Sequence, residues 1–229
     1  MPRLVAICLF SFAIFACSQP AKDAEKSAEN PTENAAKTPP APSEKKTIVF
    51  FGNSLTAGYG LTNVKDGYVS LIQQRLDSLG LPYHAVNAGL SGETSAGGND
   101  RVDWVIKTPV DIFVLELGGN DALRGIQPTE TIKNLGSILD KVKAKYPNAQ
   151  LVLAGMQAPP NLGKVYTDQF RAMYPTLAKQ HGAALIPFLL ENVGGIPDLN
   201  QGDRIHPNEK GQFILRENVW EVLGPLVKA

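Results

Sequence analysis

Near the C-terminus, Asp203-Arg204-Ile205-His206-Pro207 sets a carboxylate three residues before an imidazole. An aspartate that accepts from one ring nitrogen fixes the tautomer and frees the other nitrogen to take a proton, which is how a hydroxyl nucleophile is activated. A suitable hydroxyl stands far upstream, in Phe50-Phe51-Gly52-Asn53-Ser54-Leu55-Thr56, where Ser54 follows a β-favouring run and Gly52 permits a tight turn. Acyl transfer by such a serine also needs donors aimed at the developing oxyanion, each contributing on the order of 3 kcal/mol. Two segments offer them. Asn87-Ala88-Gly89-Leu90-Ser91-Gly92-Glu93-Thr94 presents the backbone amide of Gly92, with no side chain to block a substrate, and Leu117-Gly118-Gly119-Asn120-Asp121 presents the Asn120 amide. Taken singly, each signal has an ordinary structural reading. Ser54 and Asp203 are good helix caps, the segment around Gly92 reads as a glycine-rich turn, and Asn120 suits an Asx-turn.

Other chemistries find less support. The three histidines, His84, His181 and His206, form no zinc motif, and both cysteines, Cys8 and Cys17, lie outside the body of the chain. No metal or other cofactor is expected. The Gly-x-Ser-x-Gly elbow of conventional α/β-hydrolases is missing, and Gly58-Tyr59-Gly60 lacks the third glycine of a dinucleotide loop, Asn63 standing in its place. With 22 basic and 22 acidic residues the formal net charge is zero, which argues against nucleic acid and against electrostatic docking on an anionic membrane. A neutral or amphiphilic small molecule fits better, handled by a monomer.

These groups can converge only if elements deliver them to one edge. Thr47 to Phe51 reads as a strand, and Val69, Ile72, Leu76 and Leu79 give the next segment helical spacing. The alternation continues through a strand over 83–86, a helix near 98–106, a strand over 112–116 and a helix over 129–145. It ends with a strand over 151–154, a helix near 168–180 and a strand over 184–187. Pro207 suits the first turn of a last helix, whose turn would bring Asp203 and His206 together. Strands separated by helices imply parallel pairing with right-handed crossovers. The expected fold is α/β, a three-layer α/β/α sandwich around a mostly parallel five-stranded sheet, with ligands beyond the strands' carboxyl ends.

Ahead of this domain, Arg3 precedes an apolar stretch from Leu4 to Ala16, too short for an ordinary membrane span and suited to a secretory leader. Ala16-Cys17 resembles a bacterial lipobox, although Phe15 departs from it. Lipidation of Cys17, plain cleavage near Ala16 and an uncleaved anchor all remain open. The stretch to Lys46 is rich in Ala, Pro, Lys and Glu with almost no large apolar side chain, the composition of a disordered tether. The organisation expected is a leader over 1–16, a tether over 17–46 and a catalytic domain over 47–229. The expected location is the periplasm or the outer membrane of a Gram-negative bacterium, the only membrane contact being through a lipid anchor.

Taken in order, Ser54, Gly92, Asn120 and His206 resemble the four blocks that name the SGNH or GDSL hydrolase family, and the likeness runs from about 47 to 227. It is greatest to the bacterial subgroup of multifunctional thioesterases, proteases and lysophospholipases, which includes arylesterases. The resemblance implies a flavodoxin-like fold and a serine esterase acting on lysophospholipids, aryl esters or acyl thioesters. The catalytic set would be Ser54, Asp203 and His206, with an oxyanion hole from Ser54, Gly92 and Asn120. In that subgroup a mobile segment beside the acyl chain matches Pro159, Pro160, Asn161 and Leu162. One departure is plain: the first block normally reads Gly-Asp-Ser-Leu, and here Asn53 replaces the aspartate. Asn keeps the shape and an acceptor oxygen but loses the charge. A non-catalytic surface lipoprotein on the same fold, or an esterase for acetylated sugars, is the alternative reading.

Overall fold

The computed structural model describes residues 45–228; the leader, Cys17 and nearly all of the tether lie outside the described residues. In chain order the elements are β1 (Lys46–Gly52), α1 (Ser54–Ala57), α2 (Tyr68–Ser78), β2 (Tyr83–Gly89), α3 (Ser95–Val105) and β3 (Ile112–Glu116). There follow α4 (Gly119–Leu123), α5 (Pro128–Lys145), β4 (Gln150–Ala154), α6 (Lys164–His181), β5 (Ala184–Ile186) and α7 (Glu209–Lys228). The strands form one sheet in the order β2-β1-β3-β4-β5, and every pairing is parallel.

The side-chain period of two explains why both faces are covered. Phe50 packs edge-on against Tyr68 of α2, while Phe51 stacks on Phe113 and meets Gly98 of α3 on the other face. Helix α2 packs with α7, and α3, α5 and α6 pack in series, so the sheet lies between two helical layers. The apolar residues of α5 form one stripe, fully buried at Leu135, Ile138, Leu139 and Val142. Strand order reverses between β1 and β3, whose carboxyl ends frame the crevice where ligands bind in such sheets.

Several boundaries differ from the sequence expectation. Strand β2 runs on to Gly89 because Asn87, Ala88 and Gly89, loop-like in composition, pair with Phe50, Phe51 and Gly52. Helix α3 begins earlier, at Ser95, where the Thr94 hydroxyl accepts from Gly97 N at 3.3 Å; Gly97 and Gly98 had hidden its first turn. Helices α1 and α4 are too short to show a period. Pro207 does not open the last helix: it pairs with Asn200 in an isolated bridge, and Asn208 Oδ1 caps α7 by accepting from Gly211 N at 3.1 Å.

Candidate active site

Strand β1 carries the chain into a buried turn. Asn53, only 2 % exposed, caps α1 by accepting the Leu55 N–H on Oδ1 at 2.9 Å, and Ser54 is the first residue of that helix. The capping role open to Ser54 in the sequence thus falls to its neighbour. Asn53 also donates twice, from N at 3.1 Å and from Nδ2 at 2.7 Å, to the two carboxylate oxygens of Glu116 at the end of β3. Thr56 Oγ1 donates to the same carboxylate at 2.8 Å and lies 2.9 Å from the Tyr68 hydroxyl. Gly52 is obligatory here because a Cβ would lie 2.2 Å from Thr56 Oγ1 and 2.5 Å from Glu116 Oε2. Glu116 is 1 % exposed; burial pushes its carboxyl up to about 7, against the opposing pull of hydrogen bonds from Thr56 and Asn53.

From the other side comes a short loop. His206 Nε2 lies 2.8 Å from Ser54 Oγ, and His206 Nδ1 lies 2.6 Å from Asp203 Oδ2. An ionised carboxylate only accepts, so Nδ1 carries the proton and Nε2 is left to accept from the serine. No helical turn joins acid and base, contrary to the sequence expectation. Instead Asp203 Oδ1 accepts from Ile205 N at 2.9 Å and His206 N at 3.0 Å, and Arg204 bends through a left-handed φ of 60°. The proline after His206 disfavours helical backbone there, which is why a turn replaces a helix. Gln201 ties the loop down: its N–H donates to His206 O at 2.8 Å and its Nε2 to Tyr59 O at 2.7 Å. The Tyr59 ring centroid lies 4.8 Å from that of His206. Hydrogen bonds from the His206 ring first, and then from the His206 and Ile205 amides, hold the Asp203 carboxyl down at about 2.

Donors line the gap between these halves. Gly92 has φ of 82°, a conformation an L side chain rarely adopts, and nothing crowds the place of its absent Cβ. Its carbonyl accepts from Arg124 Nη2 at 3.1 Å, and the next residue, Glu93, is gripped by Arg101 Nε and Nη2 at 2.6 Å each. Asn120 Nδ2 spends one hydrogen on Glu93 O at 3.0 Å and retains a second. Asp121 fixes the start of α3 by accepting from Ser95 N at 2.9 Å. Among the described residues, neither the Ser54 nor the Gly92 backbone N–H has an acceptor.

The cleft above Ser54 encloses about 190 Å³, and its apolar wall comes from Leu55, Leu123, Met156, Pro159, Leu190 and Ile205. Of the four residues expected beside an acyl chain, Pro159 lines this cleft. Pro160, Asn161 and Leu162 form a 3₁₀ turn outside it, with Leu162 packed back on the core. Sequence reasoning missed Glu116, Tyr59 and most of the wall, which come from strand ends and loops without periodicity. Among the described residues no cluster of three or more His, Cys, Asp or Glu side chains is placed to hold a metal.

Residues 50–213 match the GDSL-like lipase/acylhydrolase family. The chain is 42 % identical over 183 residues to esterase TesA of Pseudomonas aeruginosa, covering 80 % of this chain and 90 % of that protein. It is 38 % identical over 182 residues to thioesterase 1/protease 1/lysophospholipase L1 of Escherichia coli, covering 79 % and 85 %. The crystal structure of the psychrotrophic esterase EstA from Pseudoalteromonas sp., inhibited by monoethylphosphonate, superposes with a TM-score of 0.75 at 31 % identity, over 81 % of this chain and 100 % of that one. With a serine-bearing turn and an Asp–His loop meeting over a parallel sheet, this chain belongs to the GDSL-like lipase/acylhydrolase, or SGNH, family and is a serine ester hydrolase.

Proposed function

We propose that Ser54 is the nucleophile, His206 the general base and acid, and Asp203 the residue that orients it, acting on esters and thioesters of apolar acyl chains. The observation that carries this reading is the unbroken chain Ser54 Oγ to His206 Nε2, 2.8 Å, and His206 Nδ1 to Asp203 Oδ2, 2.6 Å. As Ser54 Oγ attacks the carbonyl carbon, its proton passes to His206 Nε2, and the carbonyl oxygen becomes an oxyanion facing the Ser54 and Gly92 amides and Asn120 Nδ2. Collapse of the tetrahedral species expels the alkoxide or thiolate, which takes the proton from His206. Water then gives a proton to the same nitrogen, attacks the acyl-enzyme and releases the acid, and Ser54 regains its hydrogen. Asp203 stays ionised throughout, stabilising the imidazolium.

The apolar wall supports fatty acyl rather than acetylated-sugar substrates, and the thioesterase and lysophospholipase activities for which the Escherichia coli relative is named agree with that class. The leader-like segment before the domain supports export, with Cys17 as a lipid attachment point, 17–46 as the tether and 47–229 as a monomeric domain. Lysophospholipids and other envelope lipid esters are then the natural substrates, since intracellular thioesters would be out of reach. A chain-length series of p-nitrophenyl esters and lysophospholipids tests the substrate class: turnover should rise from acetyl to longer chains, and equal or falling turnover would contradict it. Metabolic labelling with palmitate, lost in Cys17→Ser, tests the anchor.

A further inference from the structure

The geometry points to Glu116 and Asn53 as a matched donor–acceptor pair that positions the nucleophile, Glu116 acting through Asn53 without entering the cleft. Asn53 is polarised by its surroundings. Its Oδ1 must accept, because it faces the Leu55 backbone N–H at 2.9 Å, and the same oxygen lies 3.4 Å from Ser54 Oγ. Its Nδ2 is therefore turned to Glu116 Oε1 at 2.7 Å, while Asn53 N and Thr56 Oγ1 supply Oε2. All three bonds run toward the carboxylate, so the ionised form of Glu116 completes the set, and a protonated one must turn a bond round, which only the Thr56 hydroxyl can do by giving its own hydrogen to Tyr68. The remaining titratable neighbours are Tyr68 of α2, bonded to Thr56, and Tyr174 of α6. Burial above all, and also the charge of Glu116, raises both, so they stay neutral. Asp121 faces Tyr174 from α4. No Lys, Arg or His among the described residues pairs with Glu116; hydrogen bonds from the nucleophile turn itself hold it. Its pKa near 7 makes this acceptor state complete only on the alkaline side of neutrality.

The pairing predicts a cycle of substitutions. Asn53→Asp sets two carboxylates in contact, and they can meet only by sharing a proton. Glu116→Gln sets an amide N–H against Asn53 Nδ2, or, turned over, against Asn53 N. Combining the two restores every partner: the new amide at position 116 would donate to the new carboxylate at position 53, and its oxygen would accept from the backbone N–H of position 53 and from Thr56. In the full-length enzyme at about pH 9, each single change should lower kcat by about ten- to a hundredfold with little change in KM, whereas near pH 6, where a shared proton lets the family's usual aspartate sit at position 53, Asn53→Asp should approach wild type. The double variant should return to within about threefold of wild type. The kcat ratio of Asn53→Asp to wild type should rise as pH falls from about 9 to about 6, because the shared proton is then supplied. A double variant no better than the worse single, or an Asn53→Asp enzyme equal to wild type at every pH, would overturn the pairing. Thermal midpoints carry the same cycle independently of activity: the double must melt above both singles, and if a single variant fails to fold, the double must still fold and melt cooperatively. The inference rests on Ser54 being the nucleophile. Thermal midpoints read the pair regardless of that assignment, whereas phosphonate labelling of wild type reads the assignment regardless of the pair.

Discussion

Serine and histidine reach each other from two unlike regions. Ser54 stands on a turn whose anchors, Asn53, Thr56 and Glu116, are all 2 % exposed or less and sit at the junction of β1 with α1, within α1 and at the end of β3. His206 stands on a loop held by local bonds and by one distant tie, from Gln201 to Tyr59, with the Asp203 side chain 38 % exposed and no helix or strand behind it. One half of the site is thus an extension of the core and the other an attachment at its edge. Changes near the nucleophile should therefore move stability and catalysis together, whereas changes in the acid–base loop should move catalysis alone.

The largest effects test the contact where the regions meet. Ser54→Ala should lower kcat by about 10⁴- to 10⁶-fold, and His206→Ala by a similar factor, in steady-state assays with a short p-nitrophenyl ester. Asp203→Asn should lose about 10²- to 10⁴-fold with an unchanged thermal midpoint, since the exposed carboxylate contributes little to folding. A lowered midpoint would make the loop part of the core and dissolve the contrast. Asn120→Ala should remove about 10²- to 10³-fold from kcat with KM nearly unchanged. Arg101→Ala tests the buried side, because it leaves Glu93, with a side chain 3 % exposed, without its partner. Its expected cost is about 3 kcal/mol of stability by chemical denaturation, with a fall in kcat as the Gly92 loop loosens.

The smallest effect is one of pH. Glu116 has a folded value of about 7 against 4.5 for the free side chain. Between those values the folded protein keeps a proton that the unfolded chain releases, so the stability this group contributes falls as pH rises from 4.5 through 7. The thermal midpoint of wild type relative to Glu116→Gln should decline over that window. Asp203 works in the opposite direction and far lower: its value is depressed to about 2, so the small, solvent-screened stability it adds is lost only as pH falls from 3.8 through 2.

Legibility in the sequence followed the same divide. The pairing of Asp203 with His206 could be read because it is local, although the sequence suggested a helix where Pro207 enforces a turn. The sheet was legible from the alternation of apolar runs, and α5 from its stripe. Glu116 was not, because a glutamate ending the buried run Ile112 to Leu115 gives no sign that its partner lies sixty-three residues upstream. Asn53 read as the loss of a charge; in the fold it is a donor that a carboxylate at that position could supply only by carrying a proton. The cleft wall was equally hidden, since Leu55, Met156, Leu190 and Ile205 meet only through tertiary structure.

Peptide mapping by mass spectrometry after reaction with a fluorophosphonate tests the meeting of the two regions most directly. One phosphonate per folded chain is expected, on the peptide containing Ser54, lost on heating, in Ser54→Ala and, within the labelling time, in His206→Ala. An adduct on Ser91 or Ser95 instead, or a folded chain that takes up none, would contradict it.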